Sequence, residues 1–215
     1  MAKAFIFDMD GTLFDTETLI MEALRAISRR HGERDDVDEF YPTTCGLTLP
    51  NAKLLYEAFF GDGYPFYERR EEMRRWMKDY IDKNGIPIKK GAKELLTFLK
   101  ENGYKIALAT STTRASAESH IKSANFQSFF DATVCGDEIK NSKPHPEIFL
   151  TAANKLSVKT EDCYVAEDSY MGVESGAAAG MKVFMIPDMT TPREKEKAIA
   201  YKICNNLLEV IDFIK

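Results

Sequence analysis

Apolar residues recur along this chain with two different periods. From Gly91 onward, helical and extended patterns alternate. Ala92, Leu95, Leu96 and Leu99 fall at the i, i+3, i+4, i+7 spacing of an amphipathic helix over residues 92–100. Asn102-Gly103 closes it, because glycine accepts the left-handed conformation that ends a helix. Short apolar runs predict strands at 104–109, 133–135, 163–166, 182–186 and 201–204. Helical stretches are predicted from Thr113 to just before Phe126, and over 146–156, 171–179 and 207–214. A further strand is expected at 3–8. Strands and helices alternating at this spacing predict an α/β protein with a parallel sheet covered on both faces.

Between the first strand and the second, only helical patterns occur. Leu19, Ile20, Ala23, Leu24 and Ile27 form one stripe, and Leu54, Leu55, Ala58 and Phe59 a second. Met73, Met77, Tyr80 and Ile81 form a third. Gly61 and Gly85 end the last two, and the turn-rich stretch 61–67 reads as a loop between helices. The pattern predicts a core made of residues 1–15 and 86–215, with a helical domain of residues 16–85 inserted into it. Thr12-Leu13-Phe14 and Gly85-Ile86-Pro87 are the expected hinges.

Composition changes this picture little. Of 215 residues 44% are hydrophobic, enough for a core without disulfides or a structural metal. The formal net charge of −5 gives no footprint for nucleic acid or an anionic membrane. No apolar run approaches the roughly 18 residues of a membrane span. The apolar stretch at the N-terminus is too short for a secretory signal. Cys45, Cys135, Cys163 and Cys204 are scattered, which argues against zinc and disulfides and for thiols in a reducing cytoplasm. The expectation is a cytoplasmic, monomeric globular protein.

The candidate chemistry sits at strand ends. The first strand runs into Asp8-Met9-Asp10-Gly11-Thr12, the second into Thr110-Ser111-Thr112. Lys143-Pro144 follows the third, and Glu167-Asp168 ends the fourth. In a parallel sheet all these ends share one edge, where ligands bind. Carboxylates about 4 Å apart repel by roughly 4 kcal/mol at an effective dielectric near 20. A divalent, oxygen-liking ion removes that cost, and magnesium suits a few carboxylates, several waters and a substrate phosphate. Asp8 and Asp168 are expected on the metal, with Glu167 reaching it through water. Hydroxyls and backbone N–H groups from Thr110 to Ala115 are expected to form an anion site, with Lys143 adding a positive charge. Asp8 can then attack phosphorus while Asp10 acts as general acid and later as base. Gly11 would supply the tight turn that brings both into one pocket.

The stretch Phe7-Asp8-Met9-Asp10-Gly11-Thr12-Leu13-Phe14-Asp15-Thr16 resembles the first motif of the haloacid dehalogenase-like superfamily. Thr110, Lys143-Pro144 and Glu167-Asp168 match its second, third and fourth motifs in order and spacing. The resemblance covers nearly the whole chain. It implies a Rossmann-like, three-layer core with a mobile helical cap, an aspartyl-phosphate intermediate at Asp8, and Mg2+ held by Asp8, Asp168 and the Asp10 carbonyl. It also implies a phosphoryl contact from Thr110 and charge stabilisation by Lys143. Within the superfamily the chain looks closest to the β-phosphoglucomutase-like branch of sugar-phosphate phosphatases and mutases. The mutases carry a histidine where this chain has Leu19-Ile20, and an arginine in a G-x-x-R pattern where it reads Gly46-Leu47-Thr48-Leu49. The expected activity is therefore hydrolysis of a small phosphorylated metabolite, with a phosphosugar mutase as the alternative. Asp10 and Asp168 argue against a true dehalogenase. Phosphonate cleavage would need a cap lysine, for which Lys53 is the candidate.

Other residues read more blandly. Ser111 and Thr112 either cap the next helix or contact phosphate. His145 is expected at the surface or behind the site, and His31 and His120 in helices without a chemical role. Arg69, Arg70, Arg74 and Arg75 alternate with Glu68, Glu71 and Glu72, as a solvated helix face does. One of the arginines could instead meet an anionic substrate tail. Trp76 is expected in the core.

Overall fold

The computed structural model describes residues 4–215; the first three positions of the predicted core, where its first strand was expected to start, lie outside the described residues. The strands are β1 (Ala4–Phe7), β2 (Lys105–Thr110), β3 (Ala132–Cys135), β4 (Cys163–Glu167), β5 (Lys182–Met185) and β6 (Lys202–Ile203). They pair in parallel, in the order β3-β2-β1-β4-β5-β6. Ile6 of β1 lies beside Ala107 of β2 and Val165 of β4. The chain winds outward from β1 in one direction and from β4 in the other. The switch between these two strands is where a doubly wound sheet opens a crevice at its carboxyl edge.

The helices of this core are α4 (Ala92–Glu101), α5 (Arg114–Ser123), α6 (Glu147–Leu156), α7 (Tyr170–Ala178), α8 (Glu194–Ile199) and α9 (Leu207–Ile214) when counted after three others given below. On one face Phe149 of α6 and Val173 of α7 join Ile6, Val165 and Val183 in a buried cluster. On the other face α4 packs against α9, burying Leu95, Leu96, Leu99, Leu207 and Val210. All four residues of β1 are fully buried, as a central strand covered on both sides requires. The fold is the α/β, Rossmann-like arrangement with a helical insert. One helix, α8, was not expected. Its sequence, Glu-Lys-Glu-Lys-Ala-Ile, carries no apolar stripe, and it is anchored by buried Glu196 paired with Arg193.

The described chain divides into two compact units, one ending its first segment at Asp15 and resuming at Ile86–Lys215, the other spanning Thr16–Gly85. The second unit holds α1 (Thr16–Arg30), α2 (Leu49–Phe60) and α3 (Phe66–Asn84). Its core comprises Ala23, Leu24 and Ile27 with Tyr56, Phe66 and Met73, and Trp76 packs partly buried against it. The stripe expected on α2 is wrong: Leu54 is 63% exposed and Leu55 is exposed as well. Ala52 and Tyr56 face inward instead, with Phe59 stacked on Phe40 at 4.0 Å. α2 is apolar on several sides, and its larger aromatic rings gain more from burial than its leucines. Among the described residues no helix is long and apolar enough to cross a membrane. Cys135, Cys163 and Cys204 are buried thiols and Cys45 a half-buried one.

Candidate active site

Asp8 follows β1 directly, with its N–H donating to the Ala166 carbonyl of β4 at 3.0 Å. The chain then turns tightly, because Leu13 N and Phe14 N both donate to the Met9 carbonyl. Gly11 sits in this turn at φ +80°, and a Cβ there would lie 2.5 Å from Asp168 Oδ2. Only glycine combines that backbone conformation with that approach. Thr12 Oγ1 donates to the other oxygen of Asp168 at 2.8 Å. The first loop and the end of β4 are thus tied together at the switch point.

Lys143 arrives from the loop after β3 and is buried. Its Nζ donates to Asp8 Oδ1 at 2.5 Å, to Glu167 Oε1 at 2.6 Å and to the Ala109 carbonyl at 3.3 Å. An ammonium has three donors, and all three are used. Burial alone would lower the Lys143 pKa, but the Asp8 and Glu167 carboxylates outweigh it and raise it. Asp8 moves the other way from a normal carboxyl. Burial pushes it up from 3.8 to about 8; Lys143 opposes this, while Glu167 and Asp10 add to it. One lysine does not offset this much buried negative charge.

Glu167 is expected to reach a metal through water, yet both of its oxygens have protein partners. Oε1 accepts from Lys143, and Oε2 accepts from Ser169 N and Oγ at 2.8 and 2.9 Å. It positions Lys143. The seat is filled to contact, since a Cβ on Gly172 would come within 1.7 Å of Glu167 Oε1. Gly172→Ala is expected to destabilise the protein by about 1–3 kcal/mol through overpacking. A thermal melt beside the wild-type protein checks this.

The end of β2 brings hydroxyls to Asp10. Thr112 Oγ1 donates to Asp10 Oδ2 at 2.7 Å, and Thr110 Oγ1 reaches the same oxygen at 3.5 Å. Thr112 N donates to Thr110 Oγ1, and Arg114 N to Asp137 Oδ1. Two of the N–H groups expected to cradle an anion are therefore already bonded, and a carboxylate occupies the start of α5. Neither Ser111 nor Thr112 caps that helix. The N-cap is Thr113, without a side-chain cap bond, and Ser111 is exposed.

His120 was not expected here. Its ring packs edge-on against Phe14, with centroids 6.4 Å apart, and its buried Nδ1 has no hydrogen-bond partner. Burial lowers its pKa and Asp10 counteracts this. The clue in the sequence was its place three residues after buried Ala117, on the inward stripe of α5. His145 has its ring exposed, with Nδ1 accepting from Glu147 N. Of the arginines on α3, Arg69 is held by Glu33 and Glu72, Arg74 and Arg75 are exposed beside Glu71, and Arg70 lies over the Phe66 ring.

A divalent cation fits the oxygen-only donors at this edge. No group of three or more acidic, histidine or cysteine side chains among the described residues makes a metal cage by itself. A magnesium-type site uses only one or two carboxylates, with carbonyl, water and phosphate oxygens completing it. The uncompensated burial of Asp8 and the Gly11 cradle against Asp168 suit such an ion.

A family model described as haloacid dehalogenase-like hydrolase matches residues 5–186. A phosphorylated carbohydrates phosphatase of Thermotoga maritima is 35% identical over 184 residues, covering 84% of this chain and 82% of that protein. Fructose-1-phosphate phosphatase YqaB of Escherichia coli is 29% identical over 179 residues, covering 82% and 92% respectively. The crystal structure of a β-phosphoglucomutase from Clostridium difficile superposes with a TM-score of 0.74 at 25% identity, covering 100% of this chain and 96% of that one.

Proposed function

This chain belongs to the haloacid dehalogenase-like hydrolases, and we propose that it is a magnesium-dependent phosphatase of small phosphomonoesters, sugar phosphates first among them. One observation carries the reading: a buried aspartate at the switch point, with one oxygen held by a charged lysine and a second aspartate two residues away. Asp8 would attack phosphorus, and the bond from phosphorus to the ester oxygen would break. Asp10 would give its proton to that oxygen, releasing the alcohol. Water would then attack phospho-Asp8 and return a proton to Asp10, freeing phosphate and regenerating both carboxyl groups. Lys143 would orient Asp8 and offset charge on the phosphoryl oxygens.

Asp8, Asp168 and the Asp10 carbonyl would hold Mg2+, which when bound offsets the carboxylates and draws charge from the phosphoryl group. Burial raises Asp8 well above the usual carboxyl range, so in the absence of a cation its ionised, attacking form is disfavoured. Exhaustive chelation is therefore expected to bring phosphate release to background, with recovery on adding magnesium and none on adding sodium. Phosphate release across a panel of sugar phosphates, nucleotides and glycolytic esters tests the substrate class. The likeness to a mutase sets the alternative outcome, which is a moved phosphate with none released. Leu19-Ile20 and Gly46-Leu47-Thr48-Leu49, which lack the mutase histidine and arginine, favour hydrolysis.

A further inference from the structure

We propose that Thr112 is the positioning residue for the general acid. Its hydroxyl would fix Asp10 so that one carboxyl oxygen is reserved for the transferred proton. The proposal rests on the reading of Asp10 as acid and base given above. Thr112 Oγ1 donates to Oδ2 of Asp10 at 2.7 Å, and Thr110 Oγ1 approaches the same atom at 3.5 Å. Oδ2 is engaged by these hydroxyls, so a proton exchanged with the leaving oxygen would pass through Oδ1. The donor cannot turn aside easily. Thr112 N is bonded to Thr110 Oγ1 at 3.0 Å, and Gly136 N donates to the Thr112 carbonyl at 3.0 Å. The backbone of Gly136 lies so close that a Cβ would be 2.1 Å from the Ser111 carbonyl oxygen. The loop after β3 therefore holds residues 111–112 in place just beyond the end of β2. A β-branched side chain on so fixed a backbone has few rotamers open to it.

The two other roles open to Thr112 make different predictions. Capping is already excluded, since Thr113 is the N-cap of α5. A phosphate contact would weaken every phosphorylated ligand alike. Positioning of the acid would matter only where the leaving oxygen needs a proton.

The test compares wild type, Thr112→Val, Thr112→Ser and Asp10→Asn. The substrates are 4-nitrophenyl phosphate, whose phenolate leaves without a proton, and the alkyl ester turned over fastest among fructose 1-phosphate, glucose 6-phosphate and glycerol 3-phosphate. Thr112→Val is expected to lower kcat/KM for the alkyl ester by about 10- to 100-fold, part of the 10²–10⁴ that proton transfer supplies. For 4-nitrophenyl phosphate kcat/KM is expected to change less than about twofold, because the step it reports needs no acid. Inhibition by inorganic phosphate should be unchanged, and Thr112→Ser should recover most of the loss. Equal losses on both substrates with weaker phosphate inhibition would overturn the proposal in favour of a phosphate contact. No loss on either would overturn it as well. Asp10→Asn separates this failure from that of the underlying reading. If Asp10→Asn shows no dependence on the leaving group, the acid role is wrong; if it does and Thr112→Val does not, only the proposal falls.

Discussion

Asp8→Asn is expected to reduce phosphate release by about 10⁴-fold or more, on the scale of removing a covalent nucleophile, and at the same time to raise the melting temperature in metal-free buffer. An amide oxygen is too weak a nucleophile to form a phosphoryl enzyme, so the loss of activity follows from the proposed reaction. The gain in stability follows from the charge. Asp8 is raised from 3.8 to about 8 because burial and two neighbouring carboxylates disfavour its ionised form more than Lys143 favours it. Unfolding lets that carboxyl ionise freely. Its contribution to stability is therefore fully present below pH 4 and is lost as the pH rises through about 8. Asparagine has no proton to lose. The variant should melt like wild type near pH 4, progressively above it as the pH rises, and by a constant margin beyond about pH 8. The cluster then holds one ammonium and one carboxylate, Lys143 with Glu167. Melts across pH, run beside phosphate-release assays, check both halves. Retained turnover would remove Asp8 as nucleophile. An unchanged melting temperature at pH 8 would mean that the carboxylate is better solvated than its burial indicates.

Lys143→Met should have the opposite effect on stability and a comparable one on activity. It leaves Asp8 and Glu167, with side chains 10% and 1% exposed, facing each other without a cation. Breaking a buried pair by removing one partner costs about 3–5 kcal/mol, since the remaining charge stays desolvated. Here the lost cation served two carboxylates. The cost should be greatest at high pH and shrink as Asp8 takes up a proton. Adding Glu167→Gln to Lys143→Met should restore part of the stability and none of the activity. Urea denaturation of the single and double variants gives the comparison. A single-variant loss below about 1 kcal/mol would place the cluster among weak, solvated ion pairs.

These two substitutions exploit features that differ in how visible they were. The helices and strands of the core were readable because burial selects residues at a local period, 3.6 for Leu95-Leu96-Leu99 and a continuous run for β1. Where that signal was missing, as in polar α8, or fell on several sides, as in α2, the reading failed. Asp8, Asp10, Lys143 and Asp168 stood out because charged and turn residues interrupted apolar runs at strand ends. The contacts of their neighbours were less visible. Thr112 read as a cap or a phosphate ligand, and nothing local placed His120 against Phe14. The difference lies in partners about a hundred residues away, Asp10 for Thr112 and Phe14 for His120.

By itself, then, the sequence determined the alternation of elements, the helical insertion and the placing of carboxylates at strand ends, because each of these is written in local spacing. The tertiary structure decided which oxygen each donor meets: Lys143 on Asp8 and Glu167, Thr12 on Asp168, Thr112 on Asp10. Those pairings depend on strand order and parallel register, which crossover connections set. They also depend on two glycines, Gly11 and Gly136, whose missing side chains let separate segments close to contact distance. No local pattern encodes how near two distant segments will come.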